Sequence, residues 1–351
     1  MRVLVAGDRG YIGAVLTPFL RDAGHEVTGL DLGLYEGCDF GPALPSPVLS
    51  GAAWRAEADI RHVRPGDLAG YDAVICLAAL SNDPLGDLNP DATFSVNLEG
   101  TLRLARAAKR AGVERFLFSS SCSLYGAAGS GAVAEDGEMN PVTPYGETKI
   151  LAERELSALA DDNFTPVYLR NATAFGASGR LRLDIVVNNL AAIALTTGEV
   201  RLESDGTPWR PLVHVEDISR VFLATLEAPR AVVHDQAFNV GRADNNLQVR
   251  DIAEMVREQV PGSTLTFADG AGPDIRDYRV DFGKLESVFG DLKLRWSVAD
   301  GVAELVRAYA ERGLTYDDFT SSRYVRLRRI RELLAEGAVD EMMFRRPGAG
   351  D

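Results

Sequence analysis

Three polar side chains in this sequence have the types and spacing needed for proton transfer at an alcohol. Tyr145 and Lys149, in the segment TPYGETK, are four residues apart and share one face of a predicted helix. A phenol titrates at about pH 10, so a cationic neighbour such as Lys149 must lower the pKa of Tyr145 before it acts as a base. Ser121, in FLFSSSCSLYG, supplies a hydroxyl that can orient the alcohol oxygen. Together they predict oxidation of a secondary alcohol, which also requires a hydride acceptor.

The hydride acceptor is predicted by the glycine-rich segment VAGDRGYIG near the start of the chain. Gly7, Gly10 and Gly13 have GxxGxxG spacing, directly after an apolar strand and at the start of a predicted helix. Such glycines let the backbone approach a diphosphate, which the N–H groups of the helix N-terminus bind. Asp31 ends the second predicted strand, where a carboxylate accepts the ribose hydroxyls of NAD and repels the 2′-phosphate of NADP. The pattern favours NAD, whose oxidised nicotinamide would also help to lower the pKa of Tyr145.

Arg9 keeps a second cofactor open. Its guanidinium lies inside the glycine-rich segment and could pair with the 2′-phosphate of NADP. With Asp31 in place, NAD is the prediction and NADP is the alternative.

The elements that position these residues follow from the hydrophobic pattern. Apolar strand-like runs alternate with helix-period segments up to about residue 175, which predicts an α/β fold with a Rossmann-type doubly wound parallel sheet. We expect a dinucleotide-binding Rossmann domain over residues 1–175, with later strand and helix additions around 212–241. A smaller interleaved C-terminal substrate-binding lobe over 176–320 and an Arg-rich helical tail over 321–351 complete the chain. Ligands of such sheets bind at the carboxyl ends of the strands.

Composition limits the function classes. The chain has 351 residues, 46% of them hydrophobic, and a formal net charge of −14, which argues against a nucleic-acid partner. Cys38, Cys76 and Cys122 show no metal-ligand spacing, so we expect reduced thiols and no metal. Without an apolar run long enough to span a membrane, we expect a soluble cytoplasmic protein.

The tail has its own composition. Residues 321–351 contain seven arginines and five acidic residues. The segment RYVRLRRIRELL predicts an amphipathic helix that buries one apolar face on the small lobe or on a neighbouring subunit. The residues on that face are Val325, Leu327, Ile330 and Leu333.

Taken together, the motifs resemble the extended short-chain dehydrogenase/reductase superfamily, in its NAD-dependent nucleotide-sugar epimerase/dehydratase family of the UDP-glucose 4-epimerase type. The resemblance runs from residue 1 to about residue 311. It rests on AGDRGYIG, Asp59 with Ile60, LAALS at 77–81, Asn97, FSSSCSLYG, PYGETK, NNL at 188–190, DGTPWRPLVHVEDI and FNVG. It implies that Ser121, Tyr145 and Lys149 form the catalytic triad. It also implies a homodimer that associates through the helices around 92–110 and 145–160.

The resemblance implies the remaining site residues as well. The implied cofactor-binding residues are Gly7, Arg9, Gly10, Tyr11, Ile12, Gly13, Asp31, Asp59, Ile60, Leu77, Ala78, Ala79, Asn97, Ser119, Tyr145 and Lys149. The implied substrate-binding residues are Ser81, Ser121, Cys122, Ser123, Asn171, Thr173, Asn189, Arg210 and Arg276. Within the second set, Asn189, Arg210 and Arg276 resemble residues that contact the nucleotide diphosphate.

The implied activity is that of an isomerase of carbohydrate metabolism: an NAD-dependent nucleotide-sugar epimerase that acts at C4 through a transient 4-keto sugar. The sugar 4,6-dehydratases of this branch carry an Asp–Glu pair after the triad hydroxyl, and Cys122 and Ser123 stand there instead, which argues against dehydration. Ser81 and Thr173 stand where epimerases often carry lysine and asparagine, and AGPD at 271–274 lacks the arginine of the family's RPG element. The sugar therefore stays open.

Three alternatives to an epimerase stay open at this point. An NADPH-dependent nucleotide-sugar 4-ketoreductase would use Arg9, whereas Asp31 opposes it. A nucleotide-sugar uronate decarboxylase would oxidise the same carbon before it releases carbon dioxide. A non-catalytic dinucleotide-binding regulator is disfavoured because Tyr145 and Lys149 are both intact.

Overall fold

The computed structural model describes residues 1–41, 59–81, 83–126, 131–269, 272 and 277–346. Its strands are β1 (Arg2–Ala6), β2 (Glu26–Leu30), β3 (Ala73–Cys76), β4 (Arg115–Ser121), β5 (Ala132–Val133), β6 (Thr165–Asn171), β7 (Thr173–Phe175), β8 (Glu199–Leu202), β9 (Trp209–His214), β10 (Gln236–Val240), β11 (Asn246–Gln248), β12 (Thr264–Phe267) and β13 (Arg279–Val280). Its α-helices are α1 (Gly13–Asp22), α2 (Asp83–Gly86), α3 (Pro90–Thr93), α4 (Thr101–Arg110), α5 (Pro144–Ser157), α6 (Val186–Thr197), α7 (Val215–Glu227), α8 (Arg230–Val233), α9 (Val249–Gln259), α10 (Gly283–Val288), α11 (Val298–Glu311), α12 (Tyr316–Thr320) and α13 (Arg326–Ala335). A π-helical stretch, Phe94–Gly100, joins α3 to α4.

The centre of the molecule is a six-stranded parallel sheet with the order β10-β6-β4-β3-β1-β2. All four residues of β3 and four of the five in β1 are buried, which is why these strands read as continuous apolar runs and not as alternating ones. The chain order reverses between β1 and β3, the switch point at which such sheets bind ligands. The predicted α/β fold with a Rossmann-type parallel sheet is confirmed.

A second layer of smaller sheets follows the central one. It comprises a three-stranded sheet, β11-β9-β7, and the two-stranded pairs β12-β8 and β13-β5. Helices α6, α9 and α11 bury a separate apolar cluster that includes Leu190, Ile252 and Leu305. Around 212–241, β10 pairs with β6 of the central sheet and α7 packs in the same apolar cluster as its strands, whereas β9 pairs with β7 and β11. We keep the boundaries 1–175, 176–320 and 321–351 as a proposed division of the chain.

Helix α13 packs differently from the prediction. Ile330 and Leu333 are buried as expected, but they pack in a cluster with Leu80, Leu85 and Met343. Leu80 and Leu85 belong to the segment after β3, so the tail lies beside the cofactor half of the protein and not on the small lobe alone. The sequence showed an apolar face on this helix and could not show which surface covers it.

Two further features concern the whole of the described chain. No helix in the described ranges has both the length and the apolar character needed to cross a membrane. Cys38, Cys76 and Cys122 are buried free thiols, as their spacing indicated.

Candidate active site

A cleft of about 850 Å³ lies along the carboxyl ends of the central strands. Its walls come from the glycine loop after β1, from Asp31 after β2, from the Leu77–Ser81 segment after β3, and from the ends of β4 and β6. The segment around Arg182–Leu190 and strand β9 close the other side. The cleft therefore opens at the topological switch point, between the sheet and the smaller elements.

The glycine loop forms a cradle that side chains would fill. A Cβ atom on Gly13 would lie 2.2 Å from the carbonyl oxygen of Gly7. Gly7 has φ +90°, and a Cβ there would lie 2.8 Å from the backbone nitrogen of Ala78. Gly13 also begins α1, so the N-terminal end of this helix, with its partial positive charge, lies at the cradle. These features fit the diphosphate of a dinucleotide.

Asp31 is held in place by backbone donors. Its carboxylate accepts hydrogen bonds from the N–H groups of Gly33 at 2.7 Å and Arg9 at 3.2 Å. Burial raises the pKa of Asp31, and these two bonds act in the opposite direction. The side chain of Arg9 does not line the cleft, and its Nη1 lies 4.0 Å from Glu36 Oε1. Arg9 thus supports Asp31 through its backbone N–H, and contact of its side chain with the cofactor stays a prediction.

Asp8, in the glycine loop, yields a pH-dependent prediction. Its carboxyl is only 6% exposed, and burial together with the nearby Asp31 raises its pKa to about 7. In the unfolded chain the Asp8 carboxyl loses its proton at about pH 4, whereas in the folded protein it keeps the proton up to about pH 7. The free energy of unfolding therefore falls as the pH rises from about 4 to about 7. Asp8→Asn should therefore raise the melting temperature most at about pH 8, less at about pH 5 and hardly at all below about pH 4. An equal shift at all three pH values would show that Asp8 is not protonated in the folded state.

Asp59 and Ile60 line the cleft as predicted, and a neighbour that the sequence did not single out joins them. Arg61 makes an ion pair with Asp59 at 2.5 Å between Nη2 and Oδ2. Its Nη1 donates to the carbonyl oxygen of Met342 at 2.6 Å. Asp59 is therefore tied to the C-terminal tail through Arg61.

Asn97 requires a correction. Leu77, Ala78 and Ala79 line the cleft, whereas Asn97 is buried behind them. Its Oδ1 accepts from the N–H of Leu80 at 2.8 Å, and its Nδ2 donates to the carbonyl of Leu80 at 3.1 Å. Asn97 holds the loop after β3 and does not face a ligand.

Ser121, Tyr145 and Lys149 are brought together at one end of the cleft. Thr143 caps the N-terminus of α5, where its Oγ1 accepts a hydrogen bond from the N–H of Gly146. Pro144 occupies the first position of the helix, so Tyr145 is fixed in the first turn. Lys149 Nζ donates to the carbonyl of Ser119 at 2.8 Å and lies 5.5 Å from the centre of the Tyr145 ring.

The electrostatics of this trio differ from the expectation. Burial raises the pKa of Tyr145 to about 12, although the hydroxyl of Ser121 and the charge of Arg182 oppose this effect. Burial also lowers the pKa of Lys149 to about 8. In the protein itself, desolvation of the phenol outweighs nearby cations, so Tyr145 is protonated at neutral pH. Burial of the phenol, which the sequence could not show, dominates the pKa of Tyr145 in the protein alone; the lowering expected from Lys149 together with an oxidised nicotinamide stays a prediction.

A buried ion pair supports the catalytic helix from behind. Glu153, one turn after Lys149, accepts a hydrogen bond from Ser120 and pairs with Arg170 at 2.7 Å. Ser120 lies on β4 and Arg170 on β6, so this network fixes α5 to both strands. Its charged members lay outside every motif in the sequence.

Most predicted substrate residues lie in the cleft, and one does not. The predicted substrate residues that line it are Ser81, Ser121, Ser123, Asn171, Thr173, Asn189 and Arg210, and Ser119, predicted to bind the cofactor, lines it too. Cys122 is buried beneath them, where its thiol donates to the carbonyl of Arg170 at 3.1 Å. Its predicted contact with the substrate is therefore corrected, because its side chain points into the core. Arg276 lies outside the described residues.

The structure also adds residues that sequence reasoning missed. Tyr278 lines the cleft opposite Ser123 and Arg210, and the charge of Arg210 favours its ionised form against a pKa raised by burial. Arg182 pairs with Asp184 at 2.8 Å and donates to Ser81 Oγ at 3.0 Å. Arg182 thereby brings a cation to Ser81, a position at which the resembling epimerases often carry a lysine.

The fold and the site define the class of the protein. A parallel dinucleotide sheet, a glycine cradle with Asp31, and Ser121, Tyr145 and Lys149 at one end of the cleft are the features of the extended short-chain dehydrogenase/reductase superfamily. The family model described as "NAD dependent epimerase/dehydratase family" matches residues 3–241. The chain therefore belongs to this family, which confirms the predicted NAD-dependent enzyme.

Relatives and solved structures agree with this membership. The chain is 27% identical over 345 residues to a UDP-glucose 4-epimerase of Bacillus subtilis, covering 87% of this chain and 94% of the relative. It is 30% identical over 286 residues to a UDP-glucose 4-epimerase of Azospirillum brasilense, covering 76% of this chain and 80% of the relative. Among solved structures, MoeE5 in complex with UDP-glucuronic acid and NAD has a TM-score of 0.73 at 27% identity, covering 89% of this chain and 99% of MoeE5.

Proposed function

We propose that the protein is an NAD-dependent nucleotide-sugar epimerase that inverts C4 and retains its NAD through turnover. The observation that supports the proposal is the lining of one cleft, which includes Ser121, Tyr145 and Lys149 together with the glycine cradle and Arg210. The similarity to UDP-glucose 4-epimerases supports both the reaction and a UDP-linked hexose as substrate.

The proton chemistry is assigned to Tyr145. The buried phenol lies beside Ser121, whose hydroxyl orients the sugar oxygen that loses its proton. With an oxidised nicotinamide bound, its positive charge and that of Lys149 would favour the ionised phenol, and the phenolate of Tyr145 would take that proton as the carbonyl forms and give it back when the alcohol is restored. Lys149, 3% exposed and bonded to the carbonyl of Ser119, supplies positive charge that stabilises the phenolate. NAD held by the glycine cradle and Asp31 would supply the redox chemistry, as acceptor of the hydride from the same carbon and as its donor to the opposite face of the sugar.

Dehydration has no second acid to support it. Such a reaction needs further proton transfers beside the triad serine, and Cys122 and Ser123 occupy the two positions that follow it. The Cys122 thiol is buried with a pKa raised by burial, and its hydrogen bond runs to the main chain of Arg170. Ser123 bonds to Ser121 at 3.0 Å between their oxygens. Cys122 and Ser123 therefore supply no acid for dehydration, which supports an epimerase.

Arg210 is assigned to the diphosphate of the substrate. It is 9% exposed on β9 and lines the cleft, and its fork suits phosphate oxygens. Arg210→Met should raise KM for the nucleotide sugar by about tenfold or more and change kcat much less. Arg257→Met, on the exposed face of α9, is the control and should leave KM unchanged. A fall in kcat with unchanged KM would remove Arg210 from diphosphate binding.

The finer parts of the proposal are a homodimer and a cytoplasmic location. Helices α4 and α5 pack against each other, and Leu98, Ile150 and Leu151 are half-buried on these helices or on the π-helical stretch before them. Such side chains would become fully buried if α4 and α5 met their copies in a second chain. Light scattering of the purified protein tests the dimer, and a monomer at micromolar concentration would contradict it.

The experiment that tests the reaction starts from protein purified without added cofactor. Denaturation followed by chromatography and mass measurement should release one NAD(H) per chain, as internal regeneration requires. The same preparation should then interconvert one pair in a panel of UDP- and dTDP-linked hexoses and uronates. Release of NADP(H) with consumption of added NADPH would assign a 4-ketoreductase instead, and loss of one carbon from a uronate would assign a decarboxylase.

A further inference from the structure

The Arg-rich tail brings one guanidinium to the wall of the cleft. Arg326, the first residue of α13, is 2% exposed and lines the cleft. It lies 3.7 Å from the ring centre of Tyr35, and its Nη2 donates to the carbonyl of Arg180 at 3.3 Å. Its Nη1 is buried and has no hydrogen-bond partner. Among the described residues, no carboxylate lies within ion-pair distance of Arg326.

The buried guanidinium of Arg326, without an ion-pair partner, would be stabilised by a bound anion. Taking a guanidinium out of water costs several kcal/mol unless an opposite charge and hydrogen bonds compensate it. The neighbouring charges do not compensate here, because Asp184 already pairs with Arg182, and Arg182 itself repels Arg326. The group formed by Arg182, Asp184 and Arg326 therefore carries one net positive charge beside the cleft.

The position of this group relative to the sheet indicates which anion it meets. Arg326 stacks on Tyr35, which follows β2, and Arg182 bonds to Ser81, which follows β3. Strands β2 and β3 flank β1 in the sheet, and β1 leads into the glycine loop, so each guanidinium group contacts a segment that follows a strand next to β1. The hydroxyl of Tyr11 in that loop reaches Gly176 and Asn188, and the charge of Arg182 opposes the rise of its pKa by burial, so Arg182 lies near the far end of the Tyr11 side chain.

The tail is fixed firmly enough to hold Arg326 in this position. Ile330 and Leu333 pack with Leu80 and Met343, and Met343 itself lines the cleft. Further along, Arg345 donates to the carbonyl of Gly33 at 2.6 Å. The tail thus closes the side of the cleft between the ends of β2 and β3. A donor held in place before binding loses little entropy when the ligand arrives.

We propose that Arg326, together with Arg182, forms an anion subsite for the diphosphate of NAD, and that the tail thereby retains the cofactor. The inference rests on the proposed function for one point only, the reaction that the bound NAD serves. The glycine cradle would bind the diphosphate through backbone N–H groups, and Arg182 and Arg326, which line the same cleft, would supply charged donors to it. The anion gives Arg326 the partner that the protein does not supply.

The test compares Arg326→Met with Arg326→Lys and with a control, Arg331→Met, which alters an exposed arginine on the same helix. Each purified variant is assayed for NAD(H) per chain after denaturation, for the dissociation constant of NAD after cofactor removal, and for KM of the nucleotide sugar at saturating NAD. Arg326→Met should bind NAD about tenfold or more weakly and lose most of its bound cofactor on purification. Arg326→Lys should be intermediate because it keeps the charge and loses the fork, and Arg331→Met should match the wild type.

Two results would overturn the inference. The first is an unchanged dissociation constant for NAD in folded Arg326→Met, or in Arg326→Lys if the methionine variant does not fold. The second is a raised KM for the nucleotide sugar with unchanged NAD affinity, which would assign the guanidinium to an acidic group of the substrate. Failure of the proposed reaction is distinguishable from both, because NAD content and NAD affinity are measured without turnover.

Discussion

Replacing Tyr145 by phenylalanine is expected to slow turnover of the nucleotide sugar by roughly a thousandfold, the contribution typical of a positioned acid–base group. The variant keeps the aromatic ring in the first turn of α5 and loses only the hydroxyl beside Ser121. Lys149 does not replace this hydroxyl as the acid–base group, since its Nζ is bonded to the carbonyl of Ser119. The measurement is the rate of interconversion at saturating substrate.

The same variant should keep its ligands, and this separates a catalytic role from a structural one. Bound NAD(H) per chain and KM for the nucleotide sugar should stay within about twofold of the wild type, because the hydroxyl acts mainly in the transition state. Tyr71→Phe, a change at a half-buried tyrosine just before β3, should have wild-type activity. Full activity in Tyr145→Phe would overturn the assignment of Tyr145.

The second large effect is expected at Gly13. A methyl group there would lie 2.2 Å from the carbonyl oxygen of Gly7 and 2.6 Å from the Cα of Asp8, and both contacts are with backbone. Neither atom can move aside as a side chain would, so α1 must shift away from the loop and the diphosphate cradle must open. Gly13→Ala should therefore lose bound NAD(H) almost completely and, with it, activity.

A matched control separates this effect from a general cost of replacing glycine. A Cβ on Gly66 would meet no atom within 4 Å, and Gly66 does not have a positive φ angle. Gly66→Ala should therefore retain stoichiometric NAD(H) and wild-type activity. Retention of full cofactor by folded Gly13→Ala would show that the loop after β1 is not the diphosphate site.

The parts of the site that the sequence predicted are those that depend on local geometry. A glycine loop is defined by the strand before it and the helix after it, so Gly7, Gly10 and Gly13 could be placed from nine residues of sequence. Tyr145 and Lys149 share a helix face because of their spacing alone. The parallel sheet followed in the same way from the alternation of strand and helix patterns.

The parts that the sequence missed depend on tertiary packing. Arg182 and Arg326 are far apart along the chain and reach one wall only because α13 packs beside the loop after β3. Asn97 and Cys122 have polar side chains in motif segments, yet each bonds to the main chain of a neighbouring segment and not to the cleft. The raised pKa of Tyr145 also arises from burial, a property that no spacing rule reports.

The most direct test of the central claim follows the substrate hydrogen during turnover. The purified protein, without added cofactor, is incubated with UDP-linked hexoses in deuterated water, and the products are analysed by proton NMR. We expect inversion at C4 with the original hydrogen retained there, because the hydride is returned within the same cleft. Absence of C4 inversion across the panel, or deuterium at C4 or C5 of the product, would contradict an epimerase that regenerates its own NAD.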